Sequence, residues 1–279
     1  LLPLGVVNHT KQNATSKEAV QPLVGVVEAN GYASMVLGAC HSLIRVEGIS
    51  SIMGDPIELA ALKGLQWSYN GETETSTPGD WKIAEAAAVQ AEQELVSKPN
   101  DVHLKSKAEM LRKAATERKS ITSKSPISSI HIVTRHHFSS KLQRMSVVAN
   151  LKPNGSDLEN GLYCLVKGSP EALKKLMGEG NVPSWYDTTV SDMTHQGYRV
   201  LALAYKKCND KEGKHWSREQ VESDLKFAGF IAFECKSRAD SKLIVRALRD
   251  SNHMVAMATG DNALTALHVG KATGICDED

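Results

Sequence analysis

Lys167 stands at the end of an apolar run, Leu162 to Val166, and is followed at once by Gly168-Ser169-Pro170-Glu171 and a helical pattern. A strand handing over to a helix needs this punctuation anyway, but a cation at the mouth of a strand is also a place for an anion. Farther along, the run Met254 to Ala258 ends in Thr259-Gly260-Asp261-Asn262 ahead of another helix. Ligands of open α/β sheets sit at such carboxyl ends, where a threonine can donate to a phosphoryl oxygen. The plainer alternative is a turn in which Asp261 or Asn262 caps the helix. Gly54-Asp55-Pro56-Ile57-Glu58 has a plain account too: Asp55 as N-cap, Pro56 at the first helical position and Glu58 at the third form a capping box. Phe138, followed by Ser139-Ser140-Lys141-Leu142-Gln143-Arg144-Met145-Ser146, is either core or a face on which a base stacks, worth about 1–3 kcal/mol per base.

The elements that must hold these residues fall into two textures. An apolar stub (residues 1–7) and a polar stretch precede helical patterns at about Tyr32 to Leu43 and from Pro56 through Leu65. Residues 70–79 read as a loop, and 81–98 and 101–119 as a helical hairpin broken at Lys98-Pro99-Asn100. Strands are predicted at Ile130 to Phe138, Arg144 to Leu151, Leu162 to Val166, Arg199 to Tyr205 and Phe227 to Glu234, with Asn154-Gly155 as a hairpin signal. Short connections imply an antiparallel sheet flanked by helices, an α+β domain. From about Cys235 a helix (Asp240 to Asp250), a buried strand (His253 to Thr259) and a helix (Leu264 to Thr273) follow, the grammar of a doubly wound α/β unit that is incomplete here.

The chain's 279 residues, 41% of them apolar, suffice for roughly two domains. A net charge of +1 gives no global attraction to nucleic acid. Five cysteines without a CxxC pair argue against a disulfide partner or a zinc site. No signal-peptide pattern or run of about 18 apolar residues is present, so the expectation is a soluble, cytosolic chain. The formal sequons at Asn8 and Asn13 read as accidental.

Five motifs now stand in one order: Gly54-Asp55-Pro56-x-Glu58, Phe138-x-Ser140 with Arg144-Met145-Ser146, Lys167-Gly168-Ser169-Pro170-Glu171, Gly197-x-Arg199-Val200-Leu201-Ala202 and Thr259-Gly260-Asp261-Asn262. In this the chain resembles the nucleotide-binding domain of P-type ATPases (residues 1–234) with part of the phosphorylation domain, a haloacid-dehalogenase-like unit (235–279). Cys40-His41-Ser42-Leu43 and the stretch 222–235 resemble the fifth class, in particular its endoplasmic-reticulum group. The resemblance implies ATP and magnesium as cofactors, with Phe138 stacking on adenine, Lys167 and Gly168 beside it and Asp55 and Glu58 as pocket carboxylates. Arg199 would reach the phosphates, and Arg238 would contact phosphate or ribose. Thr259, Gly260 and Asp261 would hold the transferred phosphoryl group, and no metal-ligand set is expected within the chain. The implied parent is a hydrolase and translocase in the endoplasmic-reticulum membrane, transporting through an aspartyl-phosphate. The implied partners are its actuator, phosphorylation and membrane domains.

The sequence departs from the family pattern in telling places. It contains neither the DKTGT acceptor motif nor the GDGxND metal loop, so the expectation is a fragment that binds nucleotide without turnover. Gln143 stands where lysine is common, and Lys236 to Asp240 replaces a proline-containing hinge. Two alternatives stay open. One is a haloacid-dehalogenase-type phosphatase, for which residues 1–7 offer no aspartate. The other is a non-catalytic interaction module working through the 81–119 hairpin.

Overall fold

The computed structural model describes residues 2–8, 21–45, 52–79, 81–99, 101–155, 158–209, 216–234 and 236–276. Most of the polar stretch after residue 8, the sequon at Asn13 and Cys235 lie outside the described residues. In chain order the elements are β1 (Leu2–Asn8), α1 (Gly31–Ala39), β2 (Ile44–Arg45), β3 (Ile52–Met53), α2 (Pro56–Gly64), β4 (Trp67–Asn70) and β5 (Thr75–Pro78). The helical hairpin α3 (Trp81–Ser97) and α4 (Val102–Lys124) follows, then β6 (Ile127–Ser139), β7 (Arg144–Pro153), β8 (Gly161–Gly168), α5 (Pro170–Lys174) and α6 (Tyr186–His195). The chain closes with β9 (Arg199–Lys207), α7 (Arg218–Val221), β10 (Lys226–Glu234), α8 (Ser241–Asp250) and α9 (Ala263–Thr273).

Eight strands form one antiparallel sheet in the order β1-β10-β9-β8-β7-β6-β5-β4. The two-residue period of a strand sorts its side chains between two cores. On β8, Tyr163 and Leu165 pack with Met35, Val36 and Leu62 of α1 and α2, while Cys164 and Val166 pack on the other face with Trp185 and Tyr186. That second core holds an aromatic cluster, with Tyr186 to Phe230 at 4.6 Å and Phe227 to Phe230 at 4.8 Å between ring centroids. Along β7, β8, β9 and β10 both faces are covered, so these strands need no polar side. No helix among the described residues is long and apolar enough to cross a membrane. Cys40, Cys164, Cys208 and Cys276 are thiols.

Three expectations are corrected. The 70–79 stretch is not a loop: Asn70 Oδ1 accepts from the N–H groups of Glu72 and Thr73, closing a turn, and Thr75–Pro78 continues as a strand paired with β4 and β6. The first helix ends at Ala39, four residues early, because Cys40 leaves helical geometry (φ −80°, ψ 76°) and the His41 N–H bonds the Ala39 carbonyl at 2.9 Å instead of a carbonyl four residues back. His253 to Thr259 is neither a strand nor buried, and Met254 is 98% exposed. A parallel strand exists only by its ladder, and among the described residues nothing pairs with it.

Candidate functional site

A cavity of about 520 Å³ opens at the end of the sheet where β7, β8 and β9 meet α2 and the start of α9. Asp55, Glu58, Phe138, Lys167, Gly168, Arg199, Gly260 and Asp261 all line it. Thr259 and Arg238 do not. The Thr259 hydroxyl is spent locally, donating to Asp261 at 3.2 Å and accepting the Asp261 N–H at 3.1 Å. Arg238 forks onto Asp240 at 3.0 and 2.7 Å, mostly in solvent.

Strand parity explains where Lys167 goes. It shares a face with Tyr163 and Leu165, so its side chain is delivered toward α2. There Nζ meets Glu58 Oε1 at 2.8 Å, with both side chains largely buried. The second oxygen of Glu58 accepts the Ser42 N–H at 2.9 Å. The capping box is therefore only half formed: Asp55 caps α2 through the Ile57 N–H at 2.7 Å, while Glu58 reaches across to β8 and the end of α1. The lysine carries a partner already, so this wall of the cavity is polar but locally neutral, which suits the edge of a base better than a polyphosphate.

Gly168 is glycine because the chain crowds there. A Cβ would lie 2.5 Å from the Gln143 carbonyl and 2.7 Å from Arg144 Cβ. That carbonyl accepts the Ser169 N–H at 2.9 Å, tying the turn after β8 to the turn before β7. Near the end of β6, Phe138 is 64% exposed and presents its side chain to the cavity.

The far side carries a looser, more exposed pair. Arg199, at the start of β9, lies 3.8 Å from Asp261 and is half exposed. Asn262, not Asp261, caps α9, through the Leu264 N–H at 2.9 Å. Thr265 Oγ1 donates to the Tyr198 carbonyl at 3.1 Å, which brings α9 against the turn before β9. Gly197 in that turn has φ +81°, and a Cβ there would sit 2.2 Å from the His268 ring.

Sequence reasoning did not single out several wall residues, among them Ser42, Met145, Thr194 and Thr265. Ser42 meets Glu58 through its backbone N–H and the His137 ring through its hydroxyl, at 3.0 Å; its only signal was the Cys40-His41-Ser42-Leu43 motif. Behind it His41 is buried, its carbonyl accepting from Arg135 Nε at 3.0 Å. Burial, helped by the charges of Lys167 and Arg135, pushes the His41 imidazole down to about 3. Burial lifts the neighbouring Cys40 thiol to about 12. Neither group changes charge near neutrality. Among the described residues no three His, Cys, Asp or Glu side chains converge as a metal site.

No family model matches the sequence. Curated relatives do. The chain is 35% identical over 237 residues, 84% of its length, to the probable manganese-transporting ATPase PDR2 of Arabidopsis thaliana. It is 32% identical over 255 residues to the endoplasmic reticulum transmembrane helix translocase spfA of Aspergillus fumigatus, and 30% over 243 residues to the polyamine-transporting ATPase 13A3 of Mus musculus. These relatives are P-type ATPases of the type 5 group. The chain belongs to that family. It spans only 15%, 16% and 18% of the length of the three relatives. The antiparallel sheet flanked by helices is the α+β architecture of a P-type ATPase nucleotide-binding domain.

Proposed function

We propose that residues 1–234 are the adenine-nucleotide-binding domain of a type 5 P-type ATPase and that 235–279 belong to its phosphorylation domain. One observation carries the reading: Glu58, Phe138, Lys167 and Arg199, from four separate elements, line one cavity. Phe138 stacks on adenine, the Lys167–Glu58 pair meets the base edge, and Arg199 exchanges Asp261 for a phosphate, which its planar fork fits well. Gly260 and Asp261 stand nearest the phosphate end, and Thr259 beside them exchanges its hydroxyl's bond to Asp261 for one to the transferred group. Magnesium supplies charge neutralisation on the phosphates, held by residues outside this chain. The acceptor aspartate also comes from outside, so the 279 residues bind nucleotide without turning it over. In the whole protein such a domain works by positioning the γ-phosphoryl group for in-line transfer. The whole protein then transports its cargo across a membrane, for which the endoplasmic-reticulum translocases among the relatives suggest the location. Its cargo is read by other parts of the protein.

Since the adenine end supplies most of the grip, ATP and ADP bind alike, with a dissociation constant on the order of 0.1 to a few mM. Titration of the isotope-labelled chain with ATP tests this. Saturable NMR shifts centred on Glu58, Phe138, Lys167 and Arg199, and lost in Phe138→Ala, are expected. A folded sample without shifts at about 10 mM ATP overturns the reading.

A further inference from the structure

The turn presenting Phe138 is gripped from the far side of the sheet. Strand parity separates Arg144 and Ser146 from Met145: Met145 enters the core under the cavity, and its two neighbours point to the opposite face. There they meet Glu222, just after the four-residue helix α7. The Glu222 side chain is 1% exposed. One oxygen accepts from Arg144 Nε at 2.6 Å, and the other accepts from Ser146 Oγ at 2.6 Å. Arg218, one turn earlier, lies 3.6 Å from the same carboxylate and donates to the His137 carbonyl at 2.6 Å. So Glu222 holds the first residues of β7, and Arg218 holds β6 immediately before Phe138. The segment 138–143 between them is closed at both ends, and both Phe138 and Gln143 line the cavity.

A buried carboxylate is a costly way to join two strands, since an apolar contact of equal volume stabilises as well or better. What the carboxylate adds is direction: two strong hydrogen bonds to one strand and a guanidinium bridge to the other. We propose that Glu222, acting with Arg218, is a positioning residue for the nucleotide site, fixing segment 138–143 so that the Phe138 ring already faces the cavity before a nucleotide arrives. The inference rests on the nucleotide-binding reading. It assigns a binding role to residues that touch neither nucleotide nor cavity. A preorganised wall avoids the ordering cost that a mobile segment would incur on binding.

The test uses the full 279-residue chain. Glu222→Gln keeps the shape and removes the charge. Expected are retained spectral dispersion, faster backbone ¹⁵N motion confined to 138–143, and ATP binding weakened about fivefold. In a Phe138→Leu background the same change costs little further affinity, because the ring it positions is gone. A merely structural role would cost the same in both backgrounds, and that result overturns the proposal. So does a segment 138–143 that stays as rigid as in the parent chain. Should Glu222→Gln fail to fold, Arg218→Met removes only the β6 grip and must loosen the same segment. The motion measurement needs no nucleotide. Failure of ATP to bind the parent chain therefore sinks the nucleotide reading and leaves the gripping of 138–143 to be judged by itself.

Discussion

The cavity wall and the α3–α4 hairpin hang from the same sheet and are held by opposite means. In the wall and directly behind it, charges are buried and tie together segments far apart in the chain: Lys167 to Glu58 across 109 residues, Ser146 to Glu222 across 76. In the hairpin, which leaves the sheet between β5 and β6, the two helices meet along a seam of Ala88, Ala91, Ala108 and Ala115. Its salt bridge, Arg112 to Glu92, is nearly half exposed, and near its tip Val96 and Val102 are 82% and 78% exposed. Buried pairs are expensive in water's absence and cooperative when complete, whereas exposed pairs contribute little. The wall should therefore answer sharply to single changes, and the hairpin should tolerate them.

The sharpest break is expected at Lys167→Met. It leaves the Glu58 carboxylate with one N–H donor in a mostly buried site, the situation that costs about 3–5 kcal/mol. Urea unfolding of the chain measures it. Adding Glu58→Leu should recover much of the loss, since the stranded charge goes with it. If the single variant is as stable as the parent, the pair is not closed in solution and the contrast with the hairpin weakens.

A smaller effect follows from His41. Its imidazole titrates near 3 in the fold against 6.5 when unfolded, so it stays neutral in the native state while the unfolded chain takes up a proton. Stability is therefore full above about pH 6.5 and falls as the pH drops from there toward 3, by about 1.4 kcal/mol per unit. That is about 3 kcal/mol by pH 4. His136, also held low by burial, adds in the same direction. Glu74, whose carboxyl the Arg135 hydrogen bond holds below its ordinary 4.5, adds only at the acid end. Unfolding measured between pH 7 and 4.5 should show the slope in the parent chain and a much flatter one in His41→Gln. An unchanged slope would mean that His41 is not the group responsible.

What was legible in the sequence divides along the same line. The strands β7 to β10 announce themselves because apolar residues on both faces make continuous runs, and each finds a neighbour. Thr75–Pro78 stayed hidden because a short polar strand carries no such run and is recognised only by its partners. His253 to Thr259 shows the converse: the run is there and the partners are not. The same holds for the site. Residue types and order named Phe138, Lys167, Glu58 and Arg199, which do share a cavity. They could not say that Lys167 is neutralised by Glu58, that Ser42 gives its backbone N–H to Glu58, or that Glu222 steadies the turn from behind, since each depends on contacts between distant segments. Arg238 was carried over on likeness to a hinge that this sequence has rewritten, and it lies elsewhere.

The hairpin supplies the smallest expected effect and the cleanest contrast. Replacing residues 80–124 by a short Gly-Ser connector between Gly79 and Ser125 removes α3 and α4 but leaves every buried pair in and behind the wall. The helices pack mainly on each other, with the Thr122 hydroxyl on the Pro78 carbonyl at 3.0 Å tying the base of the hairpin to β5. The shortened chain should keep its unfolding midpoint and its ATP-induced shifts at Glu58, Phe138 and Lys167. Loops and insertions of this kind add little to stability beyond their closure entropy, which grows slowly with length. If the shifts vanish while the fold persists, the hairpin takes part in the site, and the division between a cooperative wall and a tolerant appendage is wrong. If they remain, any role of the hairpin lies on its own exposed surface, with a partner that meets α4 and the valines near its tip.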